Sequence, residues 1–311
     1  EPVFFSEKDL PDADSAPEAW HALLNSEPET LESLLLLIDP FSVRVDPLLA
    51  GLDFAFPKTD KFGGLVSGGT APGENALFID DELMRGGVVG LKMKGNISID
   101  TTIFEYCRPL GRPMLVSESR ENLVLKLNGE LPLTIIRELF NTSNKATQKL
   151  IQRSLQVGVL NENLSNDFES KYLIRNVLGV DKLDGSLTVG ETVREGQVVQ
   201  FYLHDPELAS KDFLIQVDDY IETSRALPSA ALLFSSVARQ NHSSAYESKD
   251  LSYLGKKLID VPITGFLSNG EISSLNGQTL LNGYTNTIAM LHGRSDVDVK
   301  KKQNWLADQA A

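Results

Sequence analysis

Two six-residue segments, Gly64-Leu65-Val66-Ser67-Gly68-Gly69 and Gly265-Phe266-Leu267-Ser268-Asn269-Gly270, align without a gap at an offset of 201 (265 against 64). Each closes the same kind of passage. Leu34-Leu35-Leu36-Leu37-Ile38, stopped by Asp39-Pro40, precedes the first, and Ala231-Leu232-Leu233-Phe234-Ser235 precedes the second. A short continuous apolar run bounded by turn residues reads as a buried strand. A helical pattern follows each run, over residues 45–56 with Leu48, Leu49, Leu52 and Ala55 on one face, and over residues 251–258. Strand, helix and strand therefore occur twice. The expected fold is mixed α/β, with two pseudo-repeated sheet units and their helices related by a pseudo-twofold that records an old duplication. Gly64, Gly69, Gly265 and Gly270 are assigned to structural turns, and the glycines of residues 68–73 to positive φ at a tight turn.

Further along each half, residues 76–79 and 88–93 read as strands, as do residues 283–291 beyond a loop that holds Gly277. Between the halves, residues 131–155 have a helical pattern, residues 196–203 form a strand with alternation at its end, and residues 207–223 carry Leu208, Phe213, Leu214, Val217 and Ile221 on one helical face. The tail after Gly293 is polar, includes Lys300-Lys301-Lys302, and is expected to be mobile.

Composition narrows the function classes. A net charge of −14 repels phosphates, which argues against nucleic acid or an anionic membrane as a partner. No apolar run approaches the ~20 residues of a membrane span. One cysteine, Cys107, makes neither an internal disulfide nor a cysteine-based zinc site, so an oxidising compartment is not needed. Asn-x-Ser tripeptides at Asn96, Asn141, Asn163 and Asn241 are read as chance, since no signal peptide is visible. The expectation is a soluble intracellular protein, cytoplasmic or in an organelle interior such as the plastid stroma. The first residue is Glu1 rather than Met, which fits a removed leader or a piece of a longer protein.

Catalytic patterns are missing from the sequence. Residues 68–73 lack the Gly-Lys-Ser/Thr ending of a phosphate loop and the spacing of a dinucleotide fingerprint. His21, His204, His242 and His292 show no metal-ligand spacing, and no Gly-x-Ser-x-Gly elbow accompanies His242. We therefore expect no enzyme, no cofactor and no metal. Candidate ligand-binding residues are Arg239, just past a buried strand end where open α/β sheets collect ligands, and Asn269 and Glu271, which either hold an amino group or cap a turn. Arg108 offers a planar fork for a carboxylate, or satisfies a carbonyl beside a buried Cys107.

Several stretches carry, in order, a resemblance to a known family. They are residues 36–42 with 63–69, Tyr106-Cys107-Arg108-Pro109-Leu110-Gly111, residues 172–179 with 190–201, residues 232–236, residues 265–272 and Asn282-Gly283-Tyr284-Thr285. Together they resemble the FIST family, the F-box and intracellular signal transduction domain pair. The resemblance implies residues 1–125 as the C-terminal portion of a FIST N-like domain, residues 126–294 as a FIST C-like domain, and residues 295–311 as the tail. Relatives carry a further strand–helix region before the point that Glu1 matches. The resemblance also implies a sensory or protein-binding module for small ligands such as amino acids, found alone, beside signalling domains or with an F-box. Here the ligand would sit between the two halves. Several positions depart from the family pattern. Ser268 and Ser236 stand where cysteine is common, Ser273-Ser274 replace Gly-Pro, Ala238 and Gln240 replace glycines beside Arg239, and Asn282 replaces a frequent histidine. These losses frame the alternative, a self-assembling scaffold or protein-interaction unit with a decayed ligand site, for which a homo-oligomer or larger assembly is the expected partner state.

Overall fold

The computed structural model describes residues 1–12, 14–161, 172–224, 227–237, 244–275 and 277–293. They form a mixed α/β protein whose chain divides into two compact units. Glu1–Glu105 and Lys211–Ala311 make the first, and Tyr106–Ser210 the second. Arg239 and the tail after Gly293 lie outside the described residues.

The first unit is built on two sheets. Strand β1 (Pro2–Phe5) is followed by α1 (Pro17–Leu24), β2 (Ser33–Ile38), α2 (Val45–Ala55) and β3 (Asp60–Leu65). A small hairpin of β4 (Leu77–Ile79) and β5 (Glu82–Met84) precedes β6 (Val88–Met93) and β7 (Ile97–Glu105). β2 lies parallel to β3 and antiparallel to β6. From Leu34 to Ile38 it is apolar because both of its faces are covered. Leu34, Leu36 and Ile38 enter a core with Trp20 and Leu24 of α1 and Leu48 and Leu52 of α2. Leu35 and Leu37 point the other way, toward Phe62 and Met93.

The second sheet uses the C-terminal part of the chain. α5 (Pro206–Thr223) leads through β14 (Ala230–Ser236), α6 (Ser244–Lys257), β15 (Ile263–Ser268), β16 (Glu271–Leu275), β17 (Gln278–Asn282) and β18 (Thr285–Gly293), numbered after the six barrel strands described below. β14 is parallel to β15 and antiparallel to β18, the same pairing pattern as around β2. The two sheets exchange strands. After β15 the chain leaves its sheet, and β16 pairs with β3 in the other one, giving the order β1-β6-β2-β3-β16-β17. In return, β7 leaves the first sheet and pairs along its whole length with β18, giving β15-β14-β18-β7. Phe62 and Met93 of one sheet pack against Ile99, Phe234 and Ala289 of the other. Phe234 meets Phe62 at 6.4 Å and Phe266 edge-on at 5.6 Å.

The second unit is a closed barrel with two helices. Its strands are β8 (Cys107–Arg120), β9 (Leu123–Leu127), β10 (Leu155–Leu160), β11 (Tyr172–Val180), β12 (Leu187–Val189) and β13 (Val198–His204). They close in the order β10-β11-β12-β9-β8-β13 around Val116, Val124, Leu127, Val189 and Phe201. α3 (Pro132–Thr142) and α4 (Lys145–Ser154) fill the passage from β9 to β10.

Several expectations are corrected. Residues 131–155 are two helices, because Asn144 starts a new one by accepting a hydrogen bond from Thr147 N at 2.9 Å. The segment around Gly277 is the tip of the β16–β17 hairpin rather than an open loop. Gly69 and Gly270 occupy turns, but Gly64 and Gly265 lie inside β3 and β15. The register also shifts the alignment by one. Leu36 pairs with Gly63 as Leu233 pairs with Gly265. A Cβ at Gly63 would stand 1.9 Å from Leu36 O, and one at Gly265 1.8 Å from Leu233 O. By this criterion Gly265 corresponds to Gly63, at an offset of 202 (265 against 63).

These two collisions give a direct test of the pairing. Gly63→Ala and Gly265→Ala should each cost about 3 kcal/mol in denaturant titrations, the upper end of overpacking costs. Gly255→Ala, on the exposed side of α6 with nothing within 4 Å of the new methyl, should instead gain about 0.5–1 kcal/mol. A neutral Gly265→Ala would contradict the β14–β15 register.

Candidate functional site

Asn269 and Glu271 flank the step by which the chain passes from β15 to β16. Asn269 N donates to Leu65 O at 2.9 Å and its Nδ2 to Val66 O at 3.3 Å, while Leu65 N donates to Gly270 O at 2.8 Å. The turn is thereby stitched to the end of β3. Glu271 is 0% exposed. Its carboxylate accepts from Ser268 Oγ at 2.6 Å, from Thr285 Oγ1 at 2.8 Å and from Thr285 N at 3.3 Å. Ser268, Ser273, Asn282 and Thr285 around it are all buried, and Asn282 Nδ2 donates to Ser273 Oγ at 2.8 Å. The carboxylate caps the crossover from inside the fold, which is the turn-capping alternative of the sequence.

A cavity of about 280 Å³ lies beside this crossover, on the α6 face of the β14–β15 pair. Leu233 and Ser235 of β14, Gly265 and Leu267 of β15 and Leu251 of α6 line it. It runs along β15 from Ile263 to Leu267, with Thr264 and Phe266 also in its wall, beside the second half of β14. The sequence runs from Ser236 toward Arg239, which is outside the described residues. Arg108 belongs to the barrel unit, where its Nε donates to Asp205 Oδ2 at 3.1 Å and its Nη2 to Thr147 Oγ1 at 3.4 Å. Its fork is turned to a carboxylate of its own unit.

A larger cavity of about 880 Å³ opens at the other end of the first sheet, with Glu29, Asp60 and Asp100 in its wall beside Pro17, Ile97 and Ile99. Loss of solvent around Asp60 raises its carboxyl above the ordinary value, Lys61 opposes this, and Asp100 adds to it. Asp100 also lies 3.3 Å from Nε2 of the buried His292, which is within 3.3 Å of Tyr220 Oη. Among the described residues no group of three His, Cys, Asp or Glu side chains is placed to hold a metal ion, and no helix is long and apolar enough to cross a membrane.

Residues 5–130 match the FIST N domain and residues 132–274 match the FIST C domain. The chain belongs to the FIST family. FIST domains are sensory domains associated with signal transduction. Among relatives, an uncharacterized protein of Mycobacterium tuberculosis is 33% identical over 257 residues, covering 82% of this chain and 67% of its own length. An uncharacterized protein of Mycobacterium bovis is 31% identical over the same length, covering 82% and 66%. The chain thus spans about two thirds of the length of these relatives.

One anchoring group of this FIST chain escaped the sequence reading. Asp53 of α2 accepts from Lys61 Nζ at 2.9 Å, from Thr279 N at 2.6 Å and from Thr279 Oγ1 at 2.5 Å. Lys61 is 1% exposed and also donates to Phe56 O at 2.6 Å; its burial lowers the ammonium pKa against the pull of Asp53. An aspartate on a helix and a lysine eight residues later carry no local signal of this contact, because Thr279 lies 226 residues away.

Two substitutions separate the roles of these carboxylates. Glu271→Ala should lower unfolding free energy by about 3 kcal/mol, since several buried donors lose their acceptor. Glu271→Gln should cost about 1 kcal/mol, because an amide oxygen still meets the fixed Thr285 N–H and the Ser268 hydroxyl can reverse. Chemical denaturation of both variants reads the difference. For Asp60 the folded pKa exceeds the unfolded one, so its contribution is full below the unfolded pKa and lost as pH rises through the folded pKa. Asp60→Asn should therefore raise Tm at pH 7 and leave it unchanged near pH 3, as followed by thermal melts across that range.

Proposed function

We propose that this FIST chain is a non-enzymatic sensing module whose ligand is a small polar molecule of amino-acid size. The observation that carries this reading is the cavity of about 280 Å³ along β15 and the second half of β14, with Ser235 and Thr264 in a largely apolar wall. Such a wall with few polar groups suits a small ligand held by a few oriented contacts. Arg239, three residues beyond Ser236, supplies the carboxylate partner in this reading. Asn269 and Glu271 have a different part in it: they fix the crossover beside the cavity and do not touch the ligand.

A second reading is favoured by one specific observation. Of the residues expected to hold a ligand, Glu271 and Arg108 are engaged by internal hydrogen bonds, while β15 is the outermost strand of its sheet with Thr264 and Gly265 exposed. An open strand edge pairs readily with another chain. On this reading the chain is a scaffold or interaction unit that assembles through β15.

A thermal-shift screen with the common amino acids and related metabolites, run alongside light scattering, decides between them. A sensor should show a Tm increase with at least one compound, about 2.7 kcal/mol of stabilisation at a hundredfold excess over Kd. Ser235→Leu, which fills the cavity wall, should abolish that increase. No shift at millimolar concentrations, with concentration-dependent growth in mass that a Thr264→Lys edge variant suppresses, would replace the sensor with the scaffold.

A further inference from the structure

We propose that the barrel unit carries a separate binding site for a small amphipathic carboxylate, in the cleft between α3, α4 and the barrel wall. The cleft holds about 460 Å³, within the ~300–1,000 Å³ of small-molecule sites. Its inner surface is apolar. Ile136 and Phe140, one turn apart on α3, face Ile151 of α4 and Val177 of β11. Ile136 and Phe140 remain only partly buried against the barrel core, so the cleft keeps apolar surface that the fold itself does not cover.

The polar part of the lining has one chemical character. Arg137 of α3 and Arg153 of α4 stand in it with Asn141 and Gln152, and no carboxylate is among the described lining residues. The whole chain holds 43 acidic against 29 basic residues. A wall with two guanidinium groups and no acid runs against that balance. Neither arginine has an ion pair among the described residues, and both are exposed. A guanidinium presents a rigid fork that matches a carboxylate. The apolar interior then takes the tail. A zwitterionic amino acid fits less well, because its ammonium finds no anionic group in the wall. This ligand is therefore chemically distinct from that of the sensing cavity, and the site does not depend on that reading.

The test uses the full chain and isothermal titration with hexanoate, octanoate and decanoate below their micellar concentrations, with octanol, octylamine and leucine as comparisons. Each pair of added methylenes should tighten binding about fifteenfold, from roughly fourfold per buried methylene. Octanoate should bind well above octylamine and leucine. Arg137→Gln with Arg153→Gln should weaken octanoate at least tenfold while leaving octanol binding and the circular dichroism melt unchanged. Equal binding of octanoate and octylamine, octanoate binding unaffected in the double variant, or no heat from any carboxylate at millimolar concentration would each overturn the proposal.

Discussion

Glu271 stands where the chain leaves the sheet of β15 and enters the sheet of β3, and its buried carboxylate gathers the donors of Ser268 and Thr285. Ser268 ends β15 and Thr285 begins β18, so one side chain joins two strands of the sheet being left to the strand that enters the other. Burying a carboxylate is costly unless its oxygens are engaged. Here that cost enforces geometry, since the carboxylate is satisfied when the turn, β16 and β18 are all in place. Asp53 does the corresponding work at the far end of the hairpin, tying Thr279 and Lys61 to α2. The strand exchange is thus pinned at both ends by acids held inside the fold.

The close approach of backbones at Gly63 and Gly265 complements these polar anchors. In each parallel pair the neighbouring leucine carbonyl occupies the space that a methyl would need. That permits the strands to carry Phe62, Phe234 and Phe266 into the zone between the sheets, where the rings meet edge-on or tilted. The cavity beside β14 and β15 is bounded by the same glycine, so the packing constraint and the candidate ligand wall share a residue.

The sequence carried the parallel pairs and α2 plainly, because buried central strands read as unbroken apolar runs and α2 keeps a regular apolar face. Which of Gly63 and Gly64 meets a carbonyl was not legible, since two adjacent glycines offer the same local chemistry. The barrel was hidden for another reason. β8 contains Pro109, Gly111 and Pro113, and its inward residues Leu110, Met114 and Val116 skip a beat at the exposed Arg112, beside a shift of register opposite Val199 and Phe201. The break between α3 and α4 left a cue in Asn144, a residue suited to starting a helix, inside a continuous apolar pattern. Of the candidate residues, Glu271 turns inward and Asn269 stays exposed at the turn, and neither orientation was readable because their partners Leu65, Val66 and Thr285 are distant in sequence or lie beyond a hairpin. Arg108 faced two readings, and its partner Asp205 lies 97 residues on.

The exchange of β16 into the first sheet has a consequence for synthesis of the protein. Lys61 and Ser274, which bond across the β3–β16 junction, are 213 residues apart. At about 5–20 residues per second on the ribosome, β3 waits roughly 10–40 s for the strand that covers its edge. During that interval the nascent chain holds β1, β6, β2 and β3 with an open, apolar border, the kind of border that recruits stray strands. The barrel, whose strands are contiguous in sequence, is translated whole inside this interval. The N-terminal sheet, begun first, thus receives β16 and β17 only after the whole barrel has been made.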